Sequence, residues 1–134
     1  MIQLKNITKH YDTKTIFDHF NLTIEDNELV AIVGNSGSGK STLLNIMGLL
    51  EEVDDGEIII NHQLISNKKD ALLLMRYDIG YMVQNNALVD DYTVKENLNI
   101  VLKYSKFNKK EKLNAVKQVL STVGLEGYEN RKVY

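Results

Sequence analysis

The most constraining feature of the sequence is a glycine-rich loop, GNSGSGKST, at residues 34–42. It fits the pattern G-x-x-x-x-G-K-[ST], in which glycines let the backbone curl until successive N–H groups point at one anion. The apolar run at residues 29–33 is typical of a strand buried on both faces, and residues from Lys40 have the apolar spacing of a helix. Strand, loop and helix in this order predict a phosphate-binding P-loop.

Each part of this loop has a predicted role. The helix start offers unpaired N–H groups and a positive dipole end to the anion. Lys40 brings a full charge to the terminal phosphates, Ser41 is placed to coordinate Mg²⁺, and Thr42 to bond a further phosphate oxygen. A flexible turn that matches by chance is the alternative, but three glycines within residues 34–39 would then cost folding entropy for no gain. The predicted phosphate-binding residues are Gly34, Asn35, Ser36, Gly37, Ser38, Gly39, Lys40, Ser41 and Thr42.

Composition narrows the class of protein further. The chain has 134 residues, enough for one domain, and its net charge of −2 gives no reason to expect nucleic acid as a partner. Cysteine is absent, so disulfides and thiolate metal sites are excluded. No apolar run approaches the roughly 20 residues of a membrane span, and a cytoplasmic location is expected.

Apolar periodicity predicts the other strands. Alternation in residues 2–11 and 20–24 favours two half-buried strands, and Asp26-Asn27 then supplies a turn. The run EIII after Gly56 predicts another strand. A continuous apolar run at residues 79–83 predicts a further buried strand.

Three more helices are predicted after the P-loop helix, whose inward residues are expected to be Leu43, Leu44, Met47 and Leu50. One covers residues 70–76. Another starts at Thr93, which forms a capping-box spacing with Glu96. The last is capped by Asn108 and closed by Gly124. Their predicted inward faces are Val94, Leu98, Val101 and Leu102, and then Leu113, Val116, Val119, Leu120 and Val123.

Several enzyme classes share a P-loop, so residues outside it must distinguish them. Asn67-Lys68-Lys69-Asp70 has the form of the guanine-reading N-K-x-D element, but it lies too close to the loop, and a solvated turn leading into a helix is favoured. A small-molecule kinase would need an arginine-rich lid, and the only arginines are Arg76 and Arg131.

The whole sequence resembles the N-terminal half of an ABC-transporter ATPase subunit. Tyr11 stands where that family places the aromatic residue that stacks on adenine, and Ile16 flanks it. Residues 79–98, IGYMVQNNALVDDYTVKENL, resemble the family's Q-loop segment. There the amide of Gln84 is implied to reach Mg²⁺ or the attacking water. An exposed strand-end tyrosine and a solvated loop glutamine are the alternatives. The strongest likeness is to the lipoprotein-release, macrolide-export and bacteriocin-export type.

The resemblance implies an α/β architecture, the P-loop NTPase fold with a RecA-like core, here truncated. Its parts are an antiparallel β subdomain at residues 1–28, the P-loop core to the Q-loop at 29–92, and the start of a helical subdomain at 93–134. It further implies ATP and Mg²⁺ as cofactors, Lys40 and Gln84 as catalytic residues, and Ser41 and Gln84 as metal ligands. The implied partners are a membrane-spanning permease, contacted through residues 85–91, and a second copy in a head-to-tail dimer. The protein would then lie on the inner face of the cell membrane.

Parts of the family pattern are missing after Gln84. No signature motif, no strand ending in the metal-holding Asp and the water-activating Glu, and no switch histidine follow it. His10, His19 and His62 all precede Gln84 and are expected at the surface. The sequence is therefore expected to be a fragment that binds ATP weakly or not at all and does not turn it over. A stand-alone nucleotide-sensing module and a small-molecule kinase are the alternatives.

Overall fold

The computed structural model describes residues 1–83 and 87–133. The chain divides into two compact units, Met1–Gly80 and Tyr81–Tyr134. Among the described residues, the helices are all too short or too polar to cross a membrane.

A four-stranded antiparallel sheet forms the first unit's framework. Its strands are β1 (Ile2–Tyr11), β2 (Lys14–Ile24), β3 (Asp55–Ile60) and β4 (Gln63–Leu64), in the order β2-β1-β3-β4. The strands predicted from alternation at residues 2–11 and 20–24 and from EIII are confirmed. β1 and β2 form a hairpin that closes at the pair of Tyr11 and Lys14.

Helices α1 (Lys40–Met47) and α2 (Lys68–Tyr77) complete this unit. Both helices share one hydrophobic core with the sheet. Ile46 and Met47 of α1 are buried, whereas the predicted inward residues Leu44 and Leu50 are 46% and 49% exposed. The buried face of α1 is therefore narrower than the face that the apolar spacing predicted. It includes Ile46, which was not among the predicted inward residues. The core consists of Leu4, Ile7, Leu43, Ile46, Met47, Ile58, Ile60 and Leu74.

The prediction of two buried strands at residues 29–33 and 79–83 is wrong. Neither run forms a strand in the structure, and Leu29, Val33 and Met82 are 102%, 87% and 92% exposed. Only Ile32 and Ile79 pack against the core from these runs. A strand buried on both faces needs neighbours at its edges, and no described residue pairs with either run.

Helix α2 confirms the interpretation of Asn67 to Asp70 as a turn leading into a helix. The Asn67 side chain caps α2 by accepting hydrogen bonds from the N–H groups of Lys69 and Asp70. Its amide also donates to the Asp70 carboxylate at 2.9 Å. All four residues are therefore used in starting a helix.

The second unit contains α3 (Val94–Val101), a short 3-10 helix (Leu102–Tyr104) and α4 (Lys109–Thr122). Both predicted N-caps, Thr93 and Asn108, are present, and each forms a complete capping box. Gly124, at φ 73°, ends α4 as predicted. The N–H groups after α4 donate back to the helix's last carbonyls, which is a Schellman motif.

The predicted inward faces of α3 and α4 are only partly correct. Val116 and Leu120 of α4 are buried, whereas its other three predicted inward residues are 40–60% exposed. Val101 is 76% exposed, and α3 buries Asn97 instead. Val101 is the last residue of α3, and the chain continues directly after it as the 3-10 helix.

Candidate functional site

The glycine-rich loop leads directly into α1, as predicted. Gly39 is the N-cap of α1 at φ 91° and ψ 8°, and Gly37 lies at φ 76°. The first helical hydrogen bond runs from Leu43 N–H to the Gly39 carbonyl at 2.8 Å. The N–H groups of the first helical turn precede this bond, so they have no carbonyl within the helix to pair with. The loop therefore presents backbone donors at a positive dipole end, which suits an anion.

Lys40 closes the loop on itself. Its Nζ donates to the carbonyl of Gly34 at 2.9 Å and to that of Asn35 at 2.7 Å. The loop is thus curled around the ammonium group at the head of α1. An ammonium group has three protons, and these two bonds use two of them. The third proton is not used by these two bonds.

The β1–β2 hairpin packs against the end of the loop. A Cβ added at Gly39 would lie 2.8 Å from Cγ2 of Ile16 and 3.2 Å from Cζ of Phe17. Glycine is therefore required here both for its backbone angle and for the space it leaves. The predicted base-flanking residue Ile16 consequently lies beside the phosphate loop.

The remaining loop residues fit polyphosphate with Mg²⁺. Ser36 and Ser41 are exposed, and the N–H of Ser38 donates to the Asn35 carbonyl at 3.3 Å within the turn. A Cβ at Gly34 would meet Oγ of Ser38 at 3.0 Å, so the loop is closely curled. A serine hydroxyl is a hard oxygen donor of the kind that Mg²⁺ accepts while keeping waters and phosphate oxygens as its other ligands. Ser41 can fill that role.

Tyr11 ends β1 and is 45% exposed. Its hydroxyl donates a hydrogen bond to Oε1 of Glu51, and Nζ of Lys9 lies over its ring at 5.2 Å from the centroid. The same ammonium lies 3.2 Å from the Glu51 carboxylate. The Tyr11 hydroxyl, followed by Lys9 and Asn45, holds the pKa of Glu51 below its ordinary value, against the opposing effect of burial. Glu51 is therefore a carboxylate at neutral pH.

A second acidic residue, Asp54, forms hydrogen bonds with the same end of β1. The backbone N–H of His10 donates to Oδ2 of Asp54 at 2.6 Å, and the N–H of Asp54 donates to the Thr8 carbonyl at 3.0 Å. The His10 backbone N–H and then its ring lower the pKa of Asp54. Sequence reasoning missed both Glu51 and Asp54, because an acidic residue in a polar turn carries no distinctive signal.

The structure describes only part of the predicted Q-loop segment. Gln84, Asn85 and Asn86 lie outside the described residues, so the predicted catalytic and metal-binding roles of Gln84 stay predictions. Residues 87–91 are exposed. The buried Asn97 holds this stretch, since its side chain accepts from Val89 N–H at 2.8 Å and donates to Val89 O at 3.1 Å. Its position three residues after Val94, on the predicted inner face, was the signal that could have identified it.

The three histidines lie at the surface, as predicted. His10, His19 and His62 are all exposed. The ring of His10 is 3.1 Å from Asp54, and that of His19 is 2.6 Å from Asp18. In the part of the chain that the structure describes, no group of three or more His, Asp or Glu residues could hold a metal ion.

Comparison with known proteins identifies the family. A sequence profile described as ABC transporter matches residues 17–134. The chain belongs to the ABC transporter family. The family membership that the sequence resemblance implied is therefore confirmed. Neither of the alternatives, a small-molecule kinase or a stand-alone nucleotide-sensing module, is favoured.

Individual ABC proteins agree with this assignment. The lipoprotein-releasing system ATP-binding protein LolD of Rickettsia bellii is 39% identical over 129 residues, which cover 93% of this chain and 57% of LolD. The macrolide export ATP-binding/permease protein MacB of Pasteurella multocida is 39% identical over 138 residues, which cover 98% of this chain and 21% of MacB. The chain thus spans about half of LolD and a fifth of MacB.

A solved structure confirms the fold class. The ATP-binding cassette MJ0796, determined as a dimer in a post-hydrolysis state with ADP and Pi, superimposes with a TM-score of 0.85 at 31% identity. The match covers 99% of this chain and 62% of the MJ0796 chain. The chain therefore has the fold of an ABC cassette over the part that it spans.

Proposed function

We propose that this chain is the phosphate- and base-binding part of an ABC ATP-binding subunit and that it binds ATP with Mg²⁺. The observation that supports this proposal is the position of Lys40 at the start of α1. Its Nζ donates hydrogen bonds to the carbonyls of Gly34 and Asn35. This arrangement fixes one positive charge beside a row of backbone N–H groups. Polyphosphate is the ligand that such a site favours.

The residues divide the work of holding the nucleotide. Lys40 binds the terminal phosphates through its remaining proton, and Thr42 donates its hydroxyl to a further phosphate oxygen. Mg²⁺ bound to the nucleotide neutralises phosphate charge, and Ser41 supplies it with a hydroxyl oxygen. The exposed ring of Tyr11 stacks on the base, with Ile16 beside it.

The whole protein that carries this chain is proposed to hydrolyse ATP and to drive export or release of a substrate. Two relatives, a lipoprotein-releasing system protein and a macrolide export protein, support this proposed function. The dimeric cassette MJ0796 supports pairing of two copies, which we propose to be head-to-tail. The exposed residues 87–91 are the described part of the proposed permease contact at 85–91. Gln84 is proposed to act on Mg²⁺ or water, and the protein to lie on the cytoplasmic membrane face.

Nucleotide binding by the 134-residue chain tests the proposal. Binding of Mg-ATP would be measured by isothermal titration, or by ligand-observed NMR where affinity is low. Lys40→Ala removes a charged donor, so the affinity should fall about tenfold to a hundredfold. Ser41→Ala should abolish most of the gain in affinity that Mg²⁺ provides, because the hydroxyl ligand is lost.

Lys106→Ala is the matched control, because Lys106 is an exposed lysine between the 3-10 helix and α4. It removes the same charge from the chain and should leave the affinity unchanged. Equal affinity of Lys40→Ala and wild type would contradict the proposal, and so would the absence of any ATP binding by the wild type.

A further inference from the structure

The segment that follows α1 runs back along the end of β1. Lys9 Nζ donates to the Glu52 carbonyl at 2.8 Å, and Asp54 pairs with the backbones of Thr8 and His10. These contacts join positions more than 40 residues apart in sequence. The end of β1 is thus attached to the same segment that continues from the phosphate-loop helix.

Glu51 lies at the centre of this attachment. Its carboxylate accepts from the Tyr11 hydroxyl and lies 3.2 Å from Nζ of Lys9, and Asn45 of α1 also hydrogen-bonds it. The side chains of Lys9 and Glu51 retain only 12% and 17% of their exposure, so solvent screens this pair less than a surface pair. One carboxylate therefore connects the phosphate-loop helix to the tip of Tyr11.

The same contacts fix the orientation of the Tyr11 ring. Its hydroxyl is held at one end, its backbone is held in β1, and the ammonium of Lys9 lies over the ring. Tyr11 is nevertheless 45% exposed, so part of the ring remains open to a ligand. A stacking residue whose ring is already oriented loses less freedom when the base binds.

We propose that Glu51 is the positioning residue of the base platform: it holds Tyr11 in the orientation that stacks on the nucleobase while α1 holds the phosphates. This inference rests on the proposed function. It adds a residue that sets the preference for a nucleotide over a bare polyphosphate, because Glu51 acts on the base through Tyr11 and has no proposed contact with the phosphates.

Comparing Mg-ATP with Mg-tripolyphosphate separates the base from the phosphates. The wild-type chain should bind ATP more tightly, because only ATP carries a base. Glu51→Ala should lower this preference by about threefold to tenfold, since part of the stacking contribution is lost. Its affinity for tripolyphosphate should stay within about twofold of wild type. Tyr11→Phe keeps the ring and removes the hydroxyl, so it should reproduce the loss, and the double variant should lose no more than either single variant.

Glu52→Ala is the matched control. Its side chain is 80% exposed and pairs with Lys68 at 3.0 Å, while its contact with Lys9 is made by the backbone carbonyl, which the substitution keeps. The ATP preference of this variant should equal that of wild type. Circular dichroism melts of each variant check that it is folded. If Glu51→Ala does not fold, the comparison of the two ligands is made with Tyr11→Phe instead.

The outcomes are distinct. A wild-type chain that binds neither ligand overturns the proposed function and this inference with it. Equal wild-type affinities for the two ligands overturn the proposed stacking of the base on Tyr11, and with it the role of Glu51. They leave the proposed phosphate binding by the loop in place. A wild-type preference for ATP that survives in both Glu51→Ala and Tyr11→Phe overturns the role of Glu51 alone. Equal losses for both ligands in Glu51→Ala would show a structural role only.

Discussion

At the scale of single residues, Gly56 occupies a position with almost no room for a side chain. It lies at φ 105°, and an added Cβ would be 2.6 Å from the backbone carbonyl oxygens of both Lys5 and Asn6 in β1. Strand backbone cannot move aside as a side chain can. We expect Gly56→Ala to lower the free energy of unfolding by about 3 kcal/mol or more.

Gly37→Ala is the control for this prediction, measured by urea unfolding in the same way. Gly37 has a similar positive φ of 76°, but nothing lies within 4 Å of an added Cβ. The substitution carries the backbone cost alone, about 1 kcal/mol. Equal losses in the two variants would mean that the contact with β1 does not matter.

The candidate site could be predicted only where its chemistry is local in sequence. The proposed roles of Lys40 and the loop glycines follow from adjacent residues, and the structure brings Lys40 and the start of the loop together. Tyr11 was identified through the family resemblance. Its partner Glu51 is 40 residues away, and no pattern in the sequence links the two. Pairings between distant polar residues are made by the fold, so the sequence alone does not reveal them.

At the scale of elements, the capping box of α3 is a measurable contribution to stability. The N–H of Glu96 donates to Oγ1 of Thr93 at 3.2 Å, and the Thr93 N–H donates to the Glu96 carboxylate at 2.7 Å. Thr93→Ala removes the side-chain acceptor and should cost about 1 kcal/mol in the unfolding of the second unit. Ser121→Ala, at an exposed position of α4, should change stability by less than about 0.5 kcal/mol. A Thr93→Ala variant as stable as Ser121→Ala would contradict the prediction.

The same box predicts a dependence on pH. The Thr93 N–H, and then its hydroxyl, hold the pKa of Glu96 below its ordinary value of 4.5. A depressed pKa in the folded state means that the stabilisation is complete above the unfolded value and is lost as the pH falls through the folded value. The melting temperature of the second unit should therefore decline more steeply below pH 4.5 in wild type than in Glu96→Gln. Parallel curves for the two proteins would exclude this contribution.

Periodicity predicted most elements but not their partners. The alternation in β1 and β2 and the caps of α3 and α4 are local signals, and the structure has each of them. Residues 29–33 and 79–83 were predicted as strands because a continuous apolar run indicates burial. Such a run does not specify what buries it. Strand formation depends on backbone pairing with a neighbouring segment, and no described residue forms a strand pair with either run.

At the scale of the whole molecule, exposed apolar side chains near the phosphate loop favour self-association. Leu29 and Val33 are 102% and 87% exposed, and Val30 between them is 48% exposed. Exposed apolar patches mark association surfaces, and these three side chains all lie within residues 29–33. The net charge of −2 provides little electrostatic repulsion between copies. The 134-residue chain should therefore associate as its concentration rises.

Substituting the exposed pair tests whether this surface drives association. In sedimentation velocity, the average sedimentation coefficient of wild type should rise with concentration, and that of the double variant Leu29→Ser, Val33→Ser should rise less. The variant's stability should stay within about 0.5 kcal/mol per site, because neither side chain is buried in the monomer. Lys14→Ser, at an exposed position of β2, controls for a polar surface change and should associate like wild type. If the double variant also associates like wild type, then another surface is responsible, because the substitutions remove the two most exposed large apolar side chains of the first unit.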